Sequence, residues 1–158
     1  MPNRFSHLVL FNTALNLNVT HLLVALGSND DPKKNLATAI QQLKALGHIQ
    51  LSDDFVNPDF TATKSNPKPD YTNQCAIIKL DMPSTLQQVV KTLKQIELDC
   101  FRDKTLTTND KTSQKIRLVS IDIDVLAIKS VNSTHWQAIK KRYPFKEHEW
   151  VGIKQLLS

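Results

Sequence analysis

Asp122 and Asp124 stand two residues apart in Ser120-Ile121-Asp122-Ile123-Asp124-Val125, the spacing in this chain that points most directly to chemistry. Side chains alternate along a β-strand, so both carboxylates project from one face while Ile121, Ile123 and Val125 project from the other. The apolar face can then be buried while the acids converge. Converging carboxylates repel unless they are paired or bound to a metal, and oxygen ligands without histidine favour Mg²⁺, which also accepts phosphate oxygens. Two such ions can clamp the entering and leaving oxygens of a phosphoryl displacement. The same pattern also fits an edge strand with its polar face in water.

Arg102, Lys104, Lys111, Lys115 and Arg117 surround the polar segment just before this strand, close enough in sequence to neutralise a triphosphate. A solvated basic loop is the other reading. Gly27, Gly47 and Gly152 are the only glycines, and no run resembles G-x-x-x-x-G-K-[ST], so any phosphate must be held by cationic side chains and metal. Tyr71-Thr72-Asn73 opens a strand after a proline-containing loop. An asparagine beside an aromatic ring can hydrogen-bond and stack a flat heterocycle, or the asparagine can satisfy backbone after a turn.

The elements that must position these residues follow from periodicity. His21–Leu26 is a short apolar run ended by Gly27-Ser28-Asn29, as expected of a strand buried on both faces. Asp30 or Asp31 can cap a helix with Pro32 in its first turn; Leu36, Ile40, Leu43 and Leu46 share one face and Gly47 ends it. The spacing predicts a half-exposed strand over 48–55, a surface loop over 61–69 and a strand over 72–80. On that strand Asn73, Cys75 and Ile77 share one face and Gln74, Ala76 and Ile78 the other. Ser84 can cap a second helix carrying Leu86, Val89, Val90, Leu93, Ile96 and Cys100 at helical period, with Lys91, Lys94 and Glu97 outside or at the edge. The segment 102–117 reads as a long polar loop, 119–128 as a strand, and 131–158 as a tail with weak helical periodicity broken by Pro144. Strand, helix, strand, strand, helix, strand is met most simply by an α+β fold of the ferredoxin-like βαββαβ kind, two helices on one face of a mainly antiparallel sheet.

A chain of 158 residues is one domain in size, here 20–158 preceded by an N-terminal extension of residues 1–19. At 41% hydrophobic and 22% charged residues, with no apolar run near the ~20 residues of a membrane span, it reads as a soluble protein with no membrane partner. Two cysteines without metal-ligand spacing, Cys75 and Cys100, read as free thiols in a reducing cytoplasm. The apolar stretch 7–19 is interrupted by Asn12, Asn16 and Asn18 and lacks a small-x-small site, unlike a secretory signal. The net charge of +5 attracts anions, but scattered cations with few aromatics do not make a specific nucleic-acid platform.

Four motifs in order, Ala25-Leu26-Gly27-Ser28-Asn29, Lys68-Pro69-Asp70-Tyr71-Thr72-Asn73, Gln95-Ile96-Glu97-Leu98 and Ser120-Ile121-Asp122-Ile123-Asp124, resemble the hydroxymethyldihydropterin pyrophosphokinase family of folate biosynthesis. The resemblance runs from about His21 to Ile128. It implies transfer of the terminal diphosphate of ATP to the hydroxymethyl group of a reduced pterin, leaving AMP, by a monomer with small-molecule substrates. It implies two magnesium ions on Asp122 and Asp124, and the pterin beside Asn73 and Tyr71. The loop bearing Thr61 and Thr63 would close over it, and ATP would be met by Lys94, Glu97, Arg102 and Lys104. The physical logic agrees, because phosphoryl transfer needs positioning and charge neutralisation rather than a covalent nucleophile.

Departures from the family pattern concern the residues around the two acids. Val119 stands where the family has an arginine, leaving Arg117 as the nearest substitute. The loop before it lacks the family's tryptophan, and Thr61-Ala62-Thr63 replaces a Thr-Pro-Pro pattern. Pro144-Phe145 and Val151-Gly152-Ile153 take the places of Pro-His and Arg-Gly-Phe segments. Losing well-placed phosphate donors costs transition-state stabilisation, so a paralogue that binds ATP or a pterin without efficient transfer is the alternative.

Overall fold

The computed structural model describes residues 5–58, 63–65, 67, 69–101, 107–108, 115–116 and 118–158. In chain order these form β1 (Phe5–Val9), α1 (Phe11–Ala14), β2 (Asn18–Ser28), α2 (Pro32–Leu43), β3 (Gly47–Leu51), β4 (Phe55–Asn57) and β5 (Tyr71–Thr85). There follow α3 (Leu86–Cys100), β6 (Thr107–Thr108), β7 (Lys115–Ile116), β8 (Asp122–Ser130), β9 (Trp136–Ile139) and α4 (Glu147–Leu157). The class is α+β: among the described residues there are four α-helices and an open seven-stranded sheet in the order β1-β9-β8-β2-β5-β3, with β4 also paired to β5. The pairings are antiparallel except β1 with β9.

The apolar run of β2 sits at the centre because both of its faces are apolar. Leu22, Val24 and Leu26 join Ala76 and Ile78 of β5 and Ile123 and Val125 of β8 under α2 and α3, which bring Leu36, Ala39, Leu43, Leu86, Val89, Leu93 and Ile96. Leu23, Cys75 and Ile77 face the other way, toward Leu126, Trp136, Phe145 and Ile153 of α4. Gly152 lets α4 approach β5 closely: a Cβ there would lie 2.7 Å from Cys75 Cβ. Gly47 ends the α2 region for a similar reason, since a Cβ would collide with the Lys79 carbonyl oxygen.

Strand β8 carries a bulge. Val125 pairs with Val24 and Ala127 with the adjacent Leu23, so Leu126 is an extra residue. Val125 and Ile128 therefore face α2 and α3, while Leu126 and Ala127 both face the opposite cluster.

Several expected boundaries move. The strand expected over 48–55 is two, β3 and β4, parted where the Ser52 N–H leaves the regular pairing and donates to the Cys75 carbonyl at 2.9 Å. Strand β5 runs on to Thr85, and Thr85 rather than Ser84 caps α3, its hydroxyl accepting from Gln88 N at 3.2 Å. Asp31 is the N-cap of α2, through backbone in the left-handed region and without a side-chain bond. The strand expected from Val119 begins at Asp122. Val119 instead donates its N–H to Asn29 Oδ1 at 2.6 Å and accepts from Asn29 N at 3.1 Å, a side-chain clasp in place of ladder pairing. The polar segment holds the β6–β7 ladder, and the tail holds β9 and α4. Residues 5–14 add β1 and α1, with Phe5 and Ala14 buried.

Candidate active site

Strand parity and the neighbouring strand place the two acids. Asp122 lies opposite Gly27 and Asp124 opposite Ala25 of β2, so small residues flank both carboxylates. Ile123 and Val125 point into the core on the other face, as the alternation predicts. Asp122 is exposed and Asp124 half-buried. Arg142, on the 3-10 turn after β9, meets Asp124 Oδ1 with Nη2 at 2.7 Å. Burial and then the charge of Asp122 hold the Asp124 carboxyl above its ordinary value; Arg142 pulls it down, and Glu149 and Glu97 push it up.

Glu97 ties α3 to this strand. Its Oε1 accepts from Ile123 N at 2.8 Å and its Oε2 meets Lys94 Nζ at 3.0 Å. The Lys94 ammonium is held above its ordinary pKa first by this hydrogen bond, with smaller contributions from Asp122 and Asp124. Lys94 thus stands on α3 with its charge paired to Glu97, on the wall of a cavity that the acid pair also lines.

Two cavities meet at the aspartates. One, of 730 Å³, is bounded by Gly27, Phe55, Asn57, Tyr71, Asn73 and the first turn of α4. The Asn73 amide donates to Asn57 Oδ1, and the His148 ring lies 6.5 Å from that of Phe55. Aromatic walls with a few fixed amides suit a flat polar heterocycle, and the volume is that of a small-molecule site. Burial, the largest cause, keeps His148 below its ordinary pKa. The other cavity, of 380 Å³, is apolar along Phe11, Val90, Leu93 and Ile139 and charged along Lys94, Lys141, Arg142, Asp122 and Asp124.

The sequence-predicted residues Asp122, Asp124, Asn73, Tyr71, Glu97 and Lys94 therefore gather around one strand. Thr63 is exposed, with its hydroxyl 3.1 Å from that of Ser65. Thr61, Arg102, Lys104 and Arg117 lie outside the described residues. Arg142, Lys141, His148, Phe55 and Asn57 were not singled out from the sequence. Phe55 and Asn57 reach the site on β4, Lys141 and Arg142 on the turn after β9, and His148 on α4.

Among the described residues, no group of three or more His, Cys, Asp or Glu side chains is arranged to hold a metal. The Asp122–Asp124 pair fits an ion that completes its shell with other oxygens, the habit of Mg²⁺ bound through one or two carboxylates and substrate phosphates.

A comparison with curated proteins gives no match. The family model for 7,8-dihydro-6-hydroxymethylpterin-pyrophosphokinase, a group of ATP-dependent enzymes of folate biosynthesis that use Mg²⁺, matches residues 23–151, a stretch holding the acid strand and both cavities' principal walls. The chain belongs to this 7,8-dihydro-6-hydroxymethylpterin-pyrophosphokinase family.

Proposed function

We propose that the protein transfers diphosphate from ATP to the hydroxymethyl group of 6-hydroxymethyl-7,8-dihydropterin. The observation that carries this reading is that Asp122 and Asp124 line both cavities at once. The 730 Å³ cavity takes the pterin between Phe55, Tyr71 and His148, with Asn73 and Asn57 at its polar edge. The 380 Å³ cavity takes ATP, its base against apolar walls and its phosphates toward Lys94, Lys141 and Arg142. The pterin hydroxyl oxygen forms a bond to the β-phosphorus, the bond from that phosphorus to the α–β bridging oxygen breaks, AMP leaves, and the hydroxyl proton passes to solvent.

Asp122 and Asp124 would hold two Mg²⁺ ions, which supply charge neutralisation of the triphosphate. The chain's own part is positional. Glu97 fixes the strand and Lys94, and Arg142 orients Asp124. Arg102, Lys104, Arg117, Thr61 and Thr63 are assigned to phosphate binding and closure on the resemblance. The antiparallel order β8-β2-β5-β3 supports a ferredoxin-like core. The free thiols Cys75 and Cys100 support a cytoplasmic protein, and the monomer is carried over as an expectation from the sequence.

The second reading, binding without efficient transfer, is favoured by Val119, whose backbone is clasped by Asn29 where the family has an arginine. A coupled AMP-release assay with the reduced pterin, ATP and Mg²⁺ separates the two. The expected result is a rate far above that of the doubly substituted Asp122→Asn, Asp124→Asn protein. Equal rates would overturn catalysis, and calorimetric binding of ATP without turnover would establish the second reading.

A further inference from the structure

We propose that the β1–α1 unit is a wall of the nucleotide cavity and that Phe11 is the residue against which the purine ring of ATP rests, an assignment that builds on placing ATP in the 380 Å³ cavity. Phe11 is half-buried: it packs against the main core and also lines that cavity beside Val90, Leu93 and Ile139. Lys141 Nζ lies 4.4 Å from the Phe11 ring centroid, a cation–π contact that fixes the ammonium on the charged side of the same cavity. One ring therefore offers a flat apolar surface to a base, beside a cation that lines the same cavity.

The unit is built to hold that ring still. Strand β1 pairs in parallel with β9, Leu8 opposite Ala138 and Val9 opposite Ile139, which ties it to the strand that supplies Ile139. After α1, the carbonyls of Leu15 and Leu17 accept from Gln87 N and Leu86 N at 3.0 and 2.9 Å, satisfying two free N–H groups at the start of α3. Ala14, just before them, is fully buried. The unit thus bridges the two elements, β9 and α3, that form opposite sides of the cavity. It also precedes residue 23, where the family match begins, so this wall is this chain's own addition to the matched core.

The test is calorimetry on the full chain with Mg²⁺ and two probes, an ATP analogue with a methylene α–β bridge and inorganic triphosphate. Stacking against an aromatic side chain sets the expected loss: Phe11→Ala weakens the analogue about tenfold or more, while triphosphate affinity changes by less than about threefold. Phe11→Tyr keeps wild-type affinity for both. Because Phe11 also touches the core, Phe11→Leu serves as the variant that keeps volume, with a wild-type melting temperature and the same selective loss. Unchanged analogue binding in Phe11→Ala and Phe11→Leu, or equal loss of both probes, overturns the role of Phe11 while leaving the nucleotide assignment standing. A wild-type protein that does not bind the analogue overturns both.

Discussion

Arg142 spends its charge on Asp124 at 2.7 Å, so any divalent cation at that carboxylate must share it. Replacing it with glutamine is expected to raise Mn²⁺ affinity in the absence of nucleotide several-fold by calorimetry. The same change should lower kcat/KM for ATP by about 10²-fold, the scale of losing one charged phosphate donor. If neither quantity moves, Arg142 is a bystander. His148 gives a pH signature. Its folded pKa lies below the ordinary 6.5, chiefly through burial, with Lys146 lowering it further and Glu149 opposing. The neutral ring therefore contributes stability above pH 6.5, and that contribution is lost as pH falls through 6.5 toward the lowered value. His148→Gln should lose less stability than wild type between pH 7 and 5 in urea titrations, and parallel losses would refute the assignment. Asp122, Asp124, Asn73 and Tyr71 were legible in the sequence because strand parity alone aims them. Arg142 and His148 were not, because nothing local relates them to Asp124, which Arg142 meets across 18 residues of chain; the docking of β9 and α4 does.

At the scale of elements, the Glu97 contact to Ile123 is the tether between α3 and the acid strand. Glu97→Ala leaves the Ile123 N–H without its 2.8 Å acceptor and should cost about 1–3 kcal/mol in denaturant unfolding. Glu97→Gln keeps an acceptor and should recover most of that stability while losing the ion pair to Lys94. Equal cost in both variants would show that charge, not the hydrogen bond, sets the tether. Strands β2 and β5 and helices α2 and α3 were readable from period and punctuation, since each carries a buried stripe of its own. Strand β9 was not: four residues, Trp136–Ile139, are too few to display alternation. Helix α4 was blurred by Pro144, which lies just before it rather than within it. The N-terminal strand β1 was unreadable for a different reason: His7 and Leu8 are exposed at the sheet edge, so no buried face shapes its pattern.

Among the described residues the molecule is layered, with α2 and α3 on one face of the sheet and α4 on the other, and the 730 Å³ cavity lies where α4 meets the sheet. Gly152 sets that meeting distance. A Cβ at Gly152 would stand 2.7 Å from Cys75 Cβ and 2.8 Å from its Sγ, so α4 must lift. Gly152→Ala should destabilise by about 1–3 kcal/mol in thermal unfolding and raise KM for the pterin more than for ATP. A uniform rise in both KM values would place the effect elsewhere. The bulge at Leu126 has a consequence of another kind, for how the gene can change length. Because one extra residue separates Asp124 from Ala127, the two halves of β8 keep independent counts of inward and outward positions. Loss of the single codon for Leu126 would merge them into one regular strand in which Asp122, Asp124 and Ala127 keep one face and Ile123, Val125 and Ile128 the other, so the bulge is a place where β8 can shorten without reversing either half. A one-codon deletion at Leu126 is therefore expected to leave both acids aimed at the site at the cost of one buried leucine, whereas loss of the codon for Ile123 would turn one of the acids into the core.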